Sequence, residues 1–297
     1  MQADLLEQHL AYLAVDRGLR PKSLEAYRCD LEDFLVFLDE RGRRADETSI
    51  EGPLVMFMVT LHERGLSPRS IARKASAIKG FYRFLMREGR LTADPSKVIE
   101  RPKPGRPLPK VLSLGEIERL IAATTGETPL HLRDRAILET LYGTGIRESE
   151  LIDLQLGSIH REGEFINVIG KGNRERVIPI GTYALLAIDR YLAQGRPKLL
   201  ADITIRTLFL NPQGKPLSRM GVWKIVRKYA VAAGITHPVS PHVLRHSCAT
   251  HMLEGGADII AIQEMLGHVD VSTTQIYTHL TGQDLKRIHT KAHPRAK

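Results

Sequence analysis

Apolar residues recur every three or four positions through the first hundred residues of the chain. This spacing is typical of helices that bury one face. One predicted helix shows it in Leu24, Tyr27, Leu31, Phe34, Leu35 and Leu38. A second is predicted to begin at Ser67-Pro68 and to close near Gly89, because serine caps a helix start, proline suits its first turn and glycine often ends it. The pattern predicts an N-terminal helical bundle.

The second of these helices has two distinct faces when its residues are placed 100° apart. Its apolar residues fall in one arc of about 120°, and they are Ile71, Ala75, Ile78, Phe81, Tyr82 and Leu85. A separate arc holds Arg69, Arg73, Lys79, Arg83 and Arg87. A solvated surface usually mixes glutamate among its cations, and only Glu88 does so here. We therefore expect this face to contact a DNA backbone.

A proline-rich segment interrupts the helical pattern. Residues 101–109 contain four prolines and a glycine, which disfavours both helix and strand and indicates an extended basic linker. The sequence thus predicts a helical domain over residues 1–103, a linker over 104–110 and a second domain over 111–297.

The second domain is predicted to be mostly helical with one β-hairpin. Phe165–Ile169 and Arg176–Ile180 are rich in β-branched residues, and Gly170–Glu175 between them contains turn residues. The fold class expected for the whole chain is therefore mainly α with a small β-sheet. It comprises an N-terminal helical bundle and an α+β domain.

Charge and cysteine content narrow the possible partners. The net charge is +9 and the isoelectric point about 9.6, which favours a polyanion, either nucleic acid or an anionic membrane surface. The longest run without Asp, Glu, Lys or Arg is 16 residues, too short to span a bilayer. The N-terminus shows no signal-peptide pattern, and Cys29 and Cys248 suit a reducing compartment. We expect a cytoplasmic protein with no membrane association.

Two basic residues lie at positions where the backbone is expected to turn, one at a helix start and one at a hairpin tip. Arg147 follows the glycines of Gly143-Thr144-Gly145 and precedes residues suited to a first helical turn, so it is expected at a helix start. Lys171 lies between two glycines at the predicted hairpin tip. Either residue alone is more often an ordinary surface side chain than a functional one.

A stronger signal is His242 and Arg245, which follow Ser240-Pro241. Residues three apart on a helix share a face, and a helix N-terminus favours anions. Arg245 can donate two parallel hydrogen bonds to a phosphate. His246 and Cys248 nearby raise the alternative of a zinc site, but no His-Glu-x-x-His or Cys-x-x-Cys pattern supports it. No metal or cofactor is therefore expected.

Two further candidates lie near the C-terminus. His268 follows Gly267, where a helix is expected to end. Ser272 can cap a new helix that carries Tyr277. A tyrosine in such a helix is normally a packing residue, but a nearby cluster of cations would make it a candidate nucleophile for phosphoryl transfer.

Taken together, five segments resemble the tyrosine recombinases of the phage integrase family, Xer type, and most closely their XerD branch. The resemblance covers essentially the whole chain and is carried by Tyr142–Leu151, Gly170–Arg176, Ser240–His246, Leu266–His268 and Ser272–His279. The chain departs from the family's usual pattern at Glu148 and Cys248. Neither position is catalytic in the family.

The resemblance implies a role for each candidate. Arg147 and Arg245 would bind the scissile phosphate, and Lys171 would be the general acid. His242 and His268 would assist proton transfer, and Tyr277 would be the nucleophile. The N-terminal bundle would be a SAM-like core-binding domain that clamps DNA.

Further implications concern DNA reading and assembly. A helix capped by Ser218 would enter the major groove, with Arg219 and Lys224 as candidate contacts, and Arg174 on the hairpin is a further DNA-binding candidate. A C-terminal helix through Leu285 and Ile288 would dock on a neighbouring protomer in a tetramer, or alternatively cap its own domain.

The function implied is resolution of chromosome or plasmid dimers at a dif-like site in double-stranded DNA. A related XerC-like recombinase would be the partner and an FtsK-like DNA translocase the activator. Three alternatives remain open: a phage or mobile-element integrase, a type IB topoisomerase that lacks site preference, and a non-catalytic DNA-binding regulator.

Overall fold

The structure is a computed structural model that describes residues 2–47, 49–99, 111–170, 175–267 and 281–296. The chain divides into two compact units, Met1–Pro107 and Leu108–Lys297. The predicted linker, residues 104–110, lies outside the described residues, and the predicted domain bounds stay a prediction.

The N-terminal unit is helical, as the apolar spacing predicted. Its elements are α1 (Gln2–Val15), α2 (Pro21–Asp39), α3 (Glu51–Glu63), α4 (Pro68–Arg87) and a 3₁₀ turn (Pro95–Val98). The predicted cap of α4 is confirmed, since the Ser67 side chain accepts a hydrogen bond from the Ser70 N–H. All six residues of its predicted apolar arc are buried.

Aromatic side chains hold the core of this unit together. Phe34 of α2 lies 5.2 Å from the Phe57 ring of α3 and 6.2 Å from the Tyr82 ring of α4, measured between centroids. Edge and tilted ring contacts of this kind add about 0.5–1.5 kcal/mol each to the free energy gained from burial. The three helices therefore share one packed core.

The C-terminal unit combines helices with a small sheet. Its helices are α5 (Leu114–Ala122), α6 (Pro129–Thr144), α7 (Glu148–Asp153), α8 (Thr182–Arg190), α9 (Arg196–Leu199), α10 (Arg219–Ala232), α11 (Pro241–Glu254), α12 (Ile259–Leu266) and α13 (Gly282–Ala292). A 3₁₀ turn spans Leu156–Ser158, and a π-helical turn spans Tyr191–Gly195. The fold class predicted from the sequence, mainly α with a small sheet, is confirmed.

The sheet contains the predicted hairpin and one strand that the sequence analysis missed. β2 (Phe165–Ile169) pairs antiparallel with β3 (Glu175–Pro179), and Val168 lies opposite Arg176. The second strand begins and ends one residue earlier than predicted. β1 (Ile159–His160) pairs with β2; its two residues are too few to show an alternating pattern.

Helix α6 runs through the core of the C-terminal unit and positions the site described below. From Ala136 to Thr144 every residue is buried. The helix ends where Gly145 takes a positive φ of 61°, a conformation that side chains with a Cβ rarely adopt. This turn brings the chain directly to Arg147 and α7.

Among the described residues, the structure contains no helix that is long and apolar enough to cross a membrane.

Candidate active site

Arg147 lies at the N-cap of α7, as predicted. Its backbone N–H donates to the Glu150 carboxylate at 2.8 Å, and its guanidinium donates to the same carboxylate at 2.9 Å. The other amino group donates to the Gly267 carbonyl, 120 positions away in the sequence, at 2.9 Å. The side chain remains 35% exposed.

Arg245 lies in the second turn of α11 and is buried, with only 8% of its surface exposed. Helix α11 begins as predicted, with the Ser240 side chain accepting from the Val243 N–H. The two amino groups of Arg245 donate to the carbonyls of Gly145 and Leu266, each at 2.6 Å. These acceptors hold the guanidinium in one orientation.

The two predicted arginines therefore meet at the C-terminal end of α12. The last carbonyls of a helix lack partners within it and form the negative end of its dipole. The carbonyl of Leu266 accepts from Arg245, and the carbonyl of the following residue, Gly267, accepts from Arg147. Burial lowers the pKa of Arg245 to about 10, with a further contribution from the positive charge of Arg147. Arg245 is still charged at neutral pH.

Glu150 is a residue of this site that the sequence analysis did not assign. It is buried and stands three residues after Arg147, the spacing of a helix capping box. Burial alone raises its pKa, but hydrogen bonds from Arg176 and Arg147 outweigh that effect and hold the pKa below 4.5. The carboxylate is thus ionised at neutral pH and orients Arg147.

Arg176 is the second residue that was missed. Its amino groups donate to both oxygens of Glu150, at 2.9 and 2.8 Å, and its Nε donates to the Met265 carbonyl at 3.1 Å. The signal that could have found it is strand alternation. Arg176 and Ile178 lie on the same face of β3 and Ile178 is buried, and an arginine on a core-facing side needs a partner.

The histidines of α11 differ in their surroundings. His242, in the first turn, and His246 are exposed, whereas His251 is buried and its Nδ1 lies 2.9 Å from the Tyr142 hydroxyl. His251 is therefore a structural residue. His242 lies one turn before Arg245 on the same helix, and its role in catalysis stays a prediction.

Four predicted residues lie outside the described residues, so the structure does not place them. They are Lys171, Arg174, His268 and Tyr277. The strands on either side of Lys171 and Arg174 are described, as is Gly267, which directly precedes His268.

The residues of α4 that are predicted to contact DNA differ in how exposed they are and in whether they already bind another side chain. Arg69 and Arg83 are exposed, and Lys79 is half-buried. Arg73 forms an ion pair with buried Asp30, and the Arg87 guanidinium lies 4.9 Å from the centre of the Tyr12 ring. Contact of this face with DNA stays a prediction.

Helix α10 carries the other two DNA-reading candidates. The predicted cap is confirmed, because Ser218 accepts from the Gly221 N–H at 3.1 Å. Arg219 and Lys224 are both exposed. Their contact with DNA bases or phosphates stays a prediction.

Metal-ligating groups do not cluster in the part of the chain that the structure describes, where no group of three or more His, Cys, Asp or Glu could hold an ion. Cys29 is exposed and Cys248 is buried, and neither forms a disulfide. Burial raises the pKa of Cys248 to about 12, so its thiol is not ionised at neutral pH.

The predicted C-terminal helix is confirmed as α13, and it packs on its own unit. His289 donates to the Gly143 carbonyl at 2.8 Å, and His293 donates to the Tyr142 carbonyl at 3.2 Å. Arg295 forms an ion pair with buried Glu139. In this single chain the helix is therefore an intramolecular cap, and exchange between protomers stays a prediction.

The geometry suits the binding of a tetrahedral anion. Within the described residues, Arg147 and Arg245 each use two guanidinium N–H groups on the protein, and a guanidinium has five. The two oxygens of Glu150 are engaged by Arg176 and Arg147. Arg147 and Arg176 bind this carboxylate, and Arg245 lies near enough to interact with its charge, so three positive charges face one negative charge. The excess of positive charge can stabilise a phosphoryl group.

Comparison with known proteins identifies the family of the chain. Residues 110–284 match the phage integrase family, and residues 6–89 match the phage integrase N-terminal SAM-like domain. The tyrosine recombinase XerD of Listeria monocytogenes is 44% identical over 295 residues, covering 99% of each chain. The tyrosine recombinase XerD of Halalkalibacterium halodurans is 44% identical over 292 residues, covering 98% of each.

A solved structure supports the fold. The XerH site-specific recombinase, crystallised with its difH substrate before cleavage, superimposes with a TM-score of 0.67 at 22% identity over 95% of this chain and 82% of that one. The family matches span both compact units, and the relatives span nearly every residue. The chain therefore belongs to the phage integrase family, as a site-specific tyrosine recombinase of the Xer type, XerD branch.

Proposed function

We propose that this recombinase cuts and rejoins the strands of duplex DNA through a covalent 3′-phosphotyrosyl intermediate on Tyr277. One observation carries the proposal: Arg147 and Arg245 are held together by the carbonyls of Gly267 and Leu266. The chain continues from that turn into His268 and reaches Tyr277 ten residues beyond Gly267. A short tether therefore links the candidate nucleophile to the anion-binding arginines.

In the proposed reaction, the Tyr277 oxygen forms a bond to phosphorus while the bond to the 5′ oxygen breaks. A tyrosine titrates at about pH 10, so the phenol must lose its proton as it attacks. His242 and His268 assist that transfer and bind the phosphate. Lys171 donates a proton to the departing 5′ oxygen, and the two arginines stabilise the charge on the non-bridging oxygens.

The second half of the reaction reverses the first on a different strand. The 5′ hydroxyl of the incoming strand attacks the phosphotyrosine, and Tyr277 is released with its proton restored. One phosphate ester bond is broken and one is formed in each half. The sequence of steps therefore requires no ATP.

We infer that the biological role is resolution of chromosome or plasmid dimers in the cytoplasm at a dif-like site. The support is the full-length similarity to proteins named XerD. The working assembly is a tetramer on DNA that includes a XerC-like recombinase, and an FtsK-like DNA translocase activates it. Helix α13 would leave the docking site seen here and occupy the same site on a neighbouring protomer.

The test of the chemistry is a nicked duplex carrying the candidate dimer-resolution site of the host, designed so that the short cleaved strand dissociates. Wild-type protein is expected to form a covalent adduct that survives denaturing electrophoresis. Tyr277→Phe is expected to bind the same duplex with unchanged affinity and to form no adduct. The matched control is Tyr183→Phe, which removes a hydroxyl from a half-exposed tyrosine and should form the adduct at the wild-type rate.

The same assay separates the alternatives. An adduct with Tyr277→Phe would assign the nucleophile to another residue, and no adduct with wild-type protein would favour a non-catalytic regulator. A plasmid that lacks the site distinguishes a topoisomerase, which would relax it. A plasmid with two copies of the site should be resolved into two circles by a dimer-resolving recombinase.

A further inference from the structure

Arg176 connects the β2–β3 hairpin, whose strands flank Lys171 in the sequence, to Arg147 and Arg245. It is the second residue of β3, five positions after Lys171. Its guanidinium binds both oxygens of Glu150, the carboxylate that also orients Arg147. Its Nε binds the Met265 carbonyl, one residue before the carbonyl that holds Arg245. One side chain of β3 therefore contacts two other elements, α7 and the end of α12.

The surroundings of Arg176 leave it little freedom. Only 16% of the side chain is exposed, and 4% of Glu150. A two-point arginine–carboxylate contact fixes orientation as well as distance. A Cβ added to Gly267 would lie 3.1 Å from the Arg176 guanidinium carbon, and Gly267 has a positive φ of 67°. Because Gly267 has no side chain, the guanidinium of Arg176 can lie directly against it.

The contacts of Arg176 distinguish it from a phosphate ligand. Both amino groups and Nε already donate to protein acceptors. Its charge is balanced by Glu150, whose pKa lies below its ordinary value. Arg147 and Arg245, by contrast, each donate only two guanidinium N–H groups to protein acceptors among the described residues.

We propose that Arg176 is a positioning residue that locks the base of the β2–β3 hairpin against the arginine pair, so that Lys171 delivers its proton to the departing 5′ oxygen. The inference rests on the role of Lys171 in the proposed function. Strands held at the base of the hairpin by packing alone would be free to shift against α7 and α12. Because a misplacement of about 1 Å can lower a rate about 10²-fold, this anchor affects the chemistry without touching DNA.

The test compares two leaving groups in the nicked-duplex assay. One duplex has the ordinary 5′ oxygen at the scissile phosphate, and the other has sulfur in that bridging position. A thiolate leaves without being protonated, because thiols titrate at about pH 8.5. A defect in proton delivery should therefore disappear with sulfur, whereas a defect in phosphate binding should persist.

Arg176→Gln is expected to slow single-turnover cleavage of the oxygen duplex by about 10²-fold and to cleave the sulfur duplex within about threefold of wild type. Lys171→Ala should show the same pattern with a larger oxygen defect. Arg147→Gln should be slow on both duplexes. Arg161→Gln, which alters an exposed arginine paired with Asp189, should match wild type on both.

Arg176→Lys provides the second variant, because it keeps the charge and gives up the two-point contact. If Arg176→Gln does not fold, this variant should still show an oxygen defect that sulfur rescues. The positioning role alone would be overturned if the Arg176 variants were slowed equally on both duplexes while the sulfur duplex restored cleavage by Lys171→Ala. Failure of sulfur to rescue Lys171→Ala would overturn the general-acid assignment and the present inference with it.

Discussion

Two pairs of arginines, one pair in each compact unit, are held in opposite ways. In the N-terminal unit, Arg69 and Arg83 of α4 project into solvent, where each charge remains hydrated. In the C-terminal unit, Arg245 and Arg176 are withdrawn from solvent and fixed by backbone carbonyls and by Glu150. Exposed charges gain or lose counterions easily. Buried charges are oriented before a substrate arrives.

The histidines repeat this contrast. His9 of α1 is buried among Tyr12, Phe81 and Phe84, and neither of its ring nitrogens has a hydrogen-bond partner among the described residues. His289 in the C-terminal unit is equally buried, yet it donates to a backbone carbonyl. The buried histidine of the first unit therefore only packs against aromatic rings, whereas that of the second unit also donates a hydrogen bond to the backbone.

The largest effect is expected for Arg245→Lys. An ammonium cannot span the carbonyls of Gly145 and Leu266 and also bind a phosphate in the geometry of a guanidinium. Loss of one such donor should slow cleavage by about 10²–10³-fold and change DNA affinity much less. Single-turnover adduct formation and fluorescence anisotropy measure the two quantities.

The control for that experiment is Arg190→Lys, which alters a half-exposed arginine paired with exposed Glu127. It should cleave at the wild-type rate. Cleavage by Arg245→Lys at the wild-type rate would show that the buried arginine is structural. The burial of arginines in the C-terminal unit would then have no role in catalysis.

A smaller effect is expected for His9→Phe, and it appears as a pH dependence. Burial lowers the pKa of His9 from 6.5 to about 4, so between these values the unfolded chain binds the proton and the folded chain does not. The free energy of unfolding is therefore highest above pH 6.5, where His9 is neutral in both states, and it decreases as the pH falls toward 4. At pH 5 the loss relative to pH 7 should be about 2 kcal/mol.

His9→Phe should remove that part of the pH dependence, because phenylalanine keeps the ring contacts and takes up no proton. Hydrogen exchange of α1 and α4 in the full chain measures it, since Trp223 reports only on the C-terminal unit. His62→Gln, at an exposed position, should leave the dependence unchanged. An unaltered dependence in His9→Phe would assign it to other groups.

The smallest effect is expected for Arg69→Gln. If this exposed residue of α4 binds one DNA phosphate, the slope of log affinity against log salt should fall by about 0.9, and cleavage by saturated protein should not change. Anisotropy titrations from low to moderate salt measure the slope. Arg41→Gln, at an exposed position at the end of α2, should keep the wild-type slope, and an unchanged slope for Arg69→Gln would exclude that contact.

Much of the local structure was predictable because its causes are local. Ser67, Ser218 and Ser240 each cap the helix that follows them, and the hairpin follows from two short β-branched runs around a glycine-rich turn. Strand β1 was not predicted because its two residues are too few to show a periodic pattern. The family resemblance identified Arg147 and Arg245, whereas Glu150 and Arg176 were missed.

The sequence alone determined where α4, α10 and α11 begin, which face of α4 is apolar, and that Arg147 and Arg245 lie at or near the start of a helix. Only the tertiary structure decided that Arg147 and Arg245 share the end of α12, through hydrogen bonds that join positions 120 and 21 residues apart. Local propensity acts between neighbours, whereas the orphan carbonyls at a helix end accept whichever donors folding brings to them. That is why the contacts that join Arg176 to Glu150 and Met265 became visible only when β3, α7 and α12 had been packed together.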